Sequence, residues 1–140
     1  MSESANCIFC KIVRGEIPSI KVHEDAQTLT FMDVRPASPG HTLVISKTHA
    51  SNLLEIAETD LLAVTLTVQR VARAIQKALA PDGMRVSQFN GAAAGQTVFH
   101  YHVHIIPMQE GQRTGSHGRE SANPQELESL AARIRAALQS

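Results

Sequence analysis

The chain has 140 residues, 43% of them apolar, which suits a single domain with one substantial core. Lys plus Arg and Asp plus Glu balance at 13 each, so there is no electrostatic case for nucleic-acid or membrane-surface binding, although a small phosphate ligand needs only local donors. No apolar run approaches the ~18 residues of a membrane-spanning helix, and the polar opening Met-Ser-Glu-Ser-Ala-Asn lacks the basic stretch of a secretory leader, so the expectation is a cytoplasmic protein.

Cys7 and Cys10 come first, as Cys-Ile-Phe-Cys. A structural disulfide does not suit a reducing compartment, which leaves a redox pair or half of a zinc site still needing two more ligands. Residues 20–24 and 28–33 read as strands joined by a tight turn at Asp25-Ala26-Gln27. Arg35-Pro-Ala-Ser-Pro-Gly40 is a loop, and 41–46 is a short apolar strand. Over 59–79, Leu61, Val64, Val68, Val71, Ile75 and Leu79 recur at three- and four-residue steps, predicting an amphipathic helix that Pro81-Asp82-Gly83 ends. A strand over 84–90, a loop of small residues over 91–95 and a strand over 99–107 follow. Residues 109–122 are polar and Gly/Ser-rich, an exposed, mobile segment by composition. Asn123, Pro124 and Glu126 then open a last helix over 123–139, with Leu127, Leu130, Ile134 and Leu138 on one stripe. Consecutive strands with short connections favour antiparallel pairing, hence an α+β domain over 1–140.

The strand over 99–107 carries the chemistry. It reads Phe-His-Tyr-His-Val-His-Ile-Ile-Pro, with His100, His102 and His104 at strict alternation. Alternate residues of a strand share a face, so three imidazoles stand together. Such a row can bind a metal through neutral rings. Alternatively, one ring is a nucleophile while its neighbours donate to developing negative charge.

Taken together, the segments resemble the histidine triad family of nucleotidyl hydrolases and transferases. The triad His100-Tyr-His102-Val-His104-Ile105-Ile106 matches its signature of histidines alternating with apolar residues. Ile8-Phe9-Cys10-Lys11-Ile12-Val13, Phe31-Met32-Asp33-Val34, Gly40-His41-Thr42-Leu43-Val44-Ile45, Lys47-Thr48-His49 and Gly95-Gln96-Thr97-Val98 agree with it in order, over residues 7–108. The resemblance implies an antiparallel sheet of about five strands with one long central helix and a C-terminal helix. It implies hydrolysis or transfer at the α-phosphate of purine nucleoside phosphoramidates or adenylated small molecules, through a nucleotide carried covalently on His102. A dinucleoside polyphosphate hydrolase of the same family is the alternative substrate reading.

The same resemblance places His104, Gln96 and Thr97 at the phosphate and leaving group. It places Asp33 and Asn90 at the ribose and phosphate, and Phe9, Phe31 and Val34 around the base. Loop capping is the other reading of Gln96 and Thr97. Some family members hold a structural zinc, and the matching residues here are Cys7, Cys10, His49 and His100. The resemblance also implies a homodimer, since family members pair through the long helix and a strand. His23, His41 and His117 receive no role; His41 reads as structural and His117 as solvated. Two rivals stand apart from the family: a metallohydrolase with zinc on the three triad histidines, and a nucleotide-binding module without catalysis.

Overall fold

Alternation of side chains in strands decides which residues share a surface, and here both surfaces of the sheet are covered. The computed structural model describes residues 5–113, 115, 117, 118 and 120–140. Its elements run α1 (Ile8–Val13), β1 (Lys21–Glu24), β2 (Thr28–Met32), β3 (Thr42–Ser46), α2 (Glu58–Leu79), β4 (Gly83–Ser87), β5 (His102–Met108) and α3 (Pro124–Gln139). The strands form one sheet in the order β1-β2-β3-β5-β4, with every neighbouring pair antiparallel. The α+β class and the five-stranded antiparallel sheet with a long and a C-terminal helix are therefore as the sequence suggested.

One face carries Met32, Val44, Val103 and Ile105 beneath α2 and α3, which contribute Val64, Val68, Val71, Ile75, Leu127, Ala131 and Ile134. The expected stripe of α2 is the buried one, with Leu61 and Leu79 packing at its ends. The opposite face carries Leu29, Phe31, Leu43 and Ile45 with Phe9 and Ile12 of α1. Every residue of β2 and β3 is buried as a result. The turn at Asp25 forms as predicted: its Oδ1 accepts from Gln27 N–H (2.9 Å) and Thr28 N–H (2.8 Å). Asn123 caps α3, its Oδ1 accepting from Gln125 N–H at 2.8 Å.

Two expectations need correction, and α1 carries no sequence signal: its six residues, one and a half turns, show no period. Cys7 is its N-cap, Sγ accepting from Cys10 N–H at 3.4 Å. The strand expected to start at 99 begins at His102, because Tyr101 N–H donates to Ala50 O (2.7 Å) instead of joining the sheet. His100 therefore stands before the strand, and the alternation argument holds for His102 and His104 only. The strand expected to reach 90 ends at Ser87, where the Gln88 and Asn90 amides turn to each other (2.9 and 3.1 Å).

Residues 114, 116 and 119 of the segment expected to be mobile lie outside the described residues, as do 1–4. The described part is tied down by Glu110 N–H to Asp82 Oδ2 (2.8 Å) and by Gly118 N–H to Arg35 O and Ala122 N–H to Val34 O, each 2.9 Å.

Candidate active site

Cross-strand pairing assembles the site on the α1 side of the sheet. Leu43 pairs with His104 and Ile45 with His102, while Phe31 pairs with Leu43. Parity then puts Phe31, Leu43, His102 and His104 on one surface. A cavity of about 460 Å³ opens over it. Phe9, Ile12, Ile17, Phe31 and Leu43 line its apolar part; Asp33, Thr97, His102, His104 and His117 contribute polar groups. Val34 also lines it, more than half exposed. Phe9 stands edge-on to Phe31 (5.5 Å, 78°) and to His102 (5.0 Å, 86°), so one ring both walls the cavity and holds the imidazole.

Hydrogen bonds assign each imidazole its protonation. A carbonyl only accepts, so His102 Nδ1, 2.6 Å from His100 O, carries the proton. Its Nε2 is left with a lone pair. At His41 the logic runs the other way: Ala37 N–H donates to Nδ1 (2.9 Å), so Nε2 bears the hydrogen. That Nε2–H donates to His104 Nδ1 at 3.0 Å. His104 must then be protonated on Nε2, a buried atom with no partner. A buried donor left open in this way is costly unless a ligand takes it. The two rings sit 4.9 Å apart, so a lone pair and an orphan N–H stand side by side.

Burial favours the neutral rings. Desolvation lowers the His102 pKa below its ordinary value. Burial, with the neighbouring His102 and His41, takes His104 to about 3, and burial takes His41 to about 4. Asp33 goes up, again from burial, against the Arg35 N–H that donates to its Oδ1 at 2.8 Å. Its Oδ2 lies 3.5 Å from His41 Nε2.

His100 faces elsewhere. Its Nε2–H donates to Ser46 O (2.6 Å), leaving the Nδ1 lone pair 3.3 Å from Cys7 Sγ and 3.5 Å from Cys10 Sγ. His49 Nδ1 lies 3.2 Å from Cys10 Sγ. One ligand atom from each of these four residues falls within 4.8 Å of the others. Two sulfurs and two imidazoles, that of His100 with its tautomer fixed by Ser46 O, suit tetrahedral zinc, so these residues could hold that ion. Among the described residues, His100 thus groups with the cysteines, while His104 groups with His41 and Asp33. A single ion on all three triad histidines finds no support in this arrangement.

Two of the expected site residues have their side chains engaged by the backbone of neighbouring loops. Gln96 is buried, its amide spent on Ser51 O (2.6 Å), Val98 O (3.1 Å) and Gly91 N–H (2.7 Å). It clamps the loop that presents Thr97. Asn90 does not line the cavity; its Oδ1 accepts from Leu53 N–H at 2.9 Å. Phe89 is the neighbour of the triad there, 5.4 Å from His104. His41 and His117, given no role from the sequence, also stand beside the triad. His41 had a signal, since it shares parity with Leu43 and Ile45; His117 had none.

The cavity is thus flanked by paired, tautomer-fixed histidines on an antiparallel sheet. The HIT domain model matches residues 14–111, and the chain belongs to this family. The Adenylylsulfatase HINT3 of Arabidopsis thaliana is 44% identical over 105 residues, which are 75% of this chain and 53% of that protein. A Hit-like protein involved in cell-cycle regulation from Bartonella henselae, solved with an unknown ligand, is 46% identical with a TM-score of 0.88, covering 94% of this chain and 96% of that one. A Zn-bound histidine triad family protein from Mycobacterium smegmatis is 37% identical, TM-score 0.85, covering 97% and 95%.

Proposed function

We propose that the protein is a nucleotidyl hydrolase or transferase in which His102 Nε2 attacks the α-phosphorus of a purine nucleoside phosphoramidate or an adenylated small molecule. The observation that carries this reading is the pairing of the His102 lone pair with the unpartnered His104 N–H. The attack forms a P–N bond to His102 and breaks the bond from phosphorus to the leaving group, which departs with its electron pair and takes up a proton from water. Water or another acceptor then attacks the same phosphorus, the P–N bond breaks, and the nucleoside monophosphate or its ester is released. The His104 Nε2–H donates to a non-bridging oxygen throughout, its direction set by His41. The Asp33 carboxylate accepts from ribose hydroxyls, and the apolar walls around Phe9 and Phe31 take the base. The HINT3 relative, named an adenylylsulfatase, supports adenylylated substrates.

Cys7, Cys10, His49 and His100 would hold one zinc, whose chemistry there is structural: four protein ligands leave no open position. Such a cross-link ties the start of α1 to the start of β5, and with it the His100 carbonyl that orients His102. The protein acts as a cytoplasmic homodimer, pairing through α2, where Leu62 and Leu66 are 63% and 54% exposed, and through β4 at the sheet edge. Among the described residues, no helix is long and apolar enough to cross a membrane.

The test is steady-state turnover of an adenosine phosphoramidate, adenylyl sulfate and diadenosine polyphosphates, by wild type and His102→Gly. Turnover of either of the first two, lost by at least a thousandfold in His102→Gly while AMP still binds, is expected. Preference for the dinucleotides moves the substrate assignment within the family. AMP binding without turnover of any compound makes the protein a binding module, and near wild-type turnover by His102→Gly removes the covalent mechanism.

A further inference from the structure

One more imidazole reaches the cavity from a stretch without any sequence pattern. The ring of His117 lies 5.1 Å from that of His104, at 77° to it, and 6.2 Å from Phe89. It lines the same cavity as Asp33, His102 and His104, and it is exposed at the mouth. Its position is fixed by the residue that follows. Gly118 N–H donates to Arg35 O at 2.9 Å, on the loop that directly follows Asp33. A Cβ on Gly118 would fall 2.1 Å from Pro36 O and 2.6 Å from Arg35 O. Those are backbone atoms and cannot swing aside. The chain therefore passes this loop at a distance only glycine permits, and the preceding side chain is aimed at the triad. A histidine that served solvation alone would need neither the close approach nor the ring contact.

We propose that His117 is a substrate-contacting residue, its ring N–H donating to the same phosphate that His104 Nε2–H holds, with Gly118 fixing it in place. The inference rests on the nucleotide reading of the cavity. It explains why an imidazole stands where the phosphate is expected but outside the triad strand. It also gives His117 and Gly118 a function: they bring a donor to the cavity from a different part of the chain.

The test is calorimetric titration of full-length wild type, His117→Ala, His117→Gln and Gly118→Ala with AMP and with adenosine, with thermal melts as the control for folding. His117→Ala is expected to bind AMP about tenfold more weakly, the scale of one hydrogen bond to a charged group, without loss of adenosine affinity. His117→Gln, which keeps an N–H donor, should recover most of the difference. Gly118→Ala should reproduce the AMP-selective loss with the imidazole still present. AMP affinity within twofold of wild type in His117→Ala overturns the inference, as does an equal loss for AMP and adenosine, which marks a damaged cavity wall. A wild type that binds neither compound overturns the nucleotide reading itself, and this inference with it.

Discussion

Acid should destabilise this protein through its own site. His41 and His104 are fully buried, and burial holds their pKa values at about 4 and about 3, against 6.5 for an ordinary histidine. The unfolded chain binds more protons than the folded one wherever the pH lies below about 6.5 and above those values. Stability therefore rises with pH in that window; it is fully present above 6.5 and is lost as pH falls. Going from pH 7.5 to 5.5, linkage gives roughly 1.4 kcal/mol for each such histidine, or about 3 kcal/mol for the pair. That is a large share of the ~5–15 kcal/mol typical of a domain. Urea unfolding at the two pH values measures it, with His41→Gln/His104→Gln as the non-titrating reference. Wild type should lose about 3 kcal/mol more than the double variant. Parallel losses in the two proteins, or ring titrations near 6.5 for these histidines in the folded state, would refute the reasoning.

Cys7→Ser with Cys10→Ser should remove zinc from protein purified without chelators and lower the melting temperature by several degrees, yet leave measurable turnover; far less than one zinc per chain in wild type counts against the site. Light scattering at micromolar concentration should give the mass of a dimer, and Leu66→Glu should shift it toward monomer, whereas a monomeric wild type defeats the proposed pairing. Gly40→Ala should cost about 1–3 kcal/mol in chemical denaturation, since φ there is +94° and a Cβ would lie 2.6 Å from Leu79 Cδ1 and 3.0 Å from Pro107 Cγ. An unchanged midpoint would mean that both side chains yield at no cost.

Much of the fold was legible because its elements are periodic. The α2 stripe, the Asn123 cap and the turn at Asp25 each rest on local chemistry, and each stands where the residues put it. The ends of β4 and β5 were not legible, because they depend on distant partners. Tyr101 leaves the sheet to donate to Ala50, and Asn90 leaves it to bind Gln88 and Leu53. The α1 helix was hidden for another reason: its six residues are ordered by packing of Phe9 and Ile12 on the sheet.

The site was half legible, and the missing half is the more instructive. A row of alternating histidines suggests three equivalent rings, and side-chain type alone cannot distinguish them. What separates them is the partner of each ring's second nitrogen. Ser46 O takes the Nε2–H of His100 and turns its Nδ1 to two thiols. The His100 carbonyl takes the Nδ1–H of His102 and leaves a lone pair on Nε2. His41, itself set by Ala37 N–H, makes His104 a donor at Nε2. Two of those three partners are backbone carbonyls, which a sequence motif does not encode. The third is a histidine 63 residues away, brought there by pairing of β3 with β5. Three chemically identical side chains are thus given a thiol-facing lone pair, a cavity-facing lone pair and a cavity-facing proton by the backbone carbonyl or cross-strand ring that each one meets. A one-residue slip between β3 and β5 would keep every histidine of the motif and abolish that division.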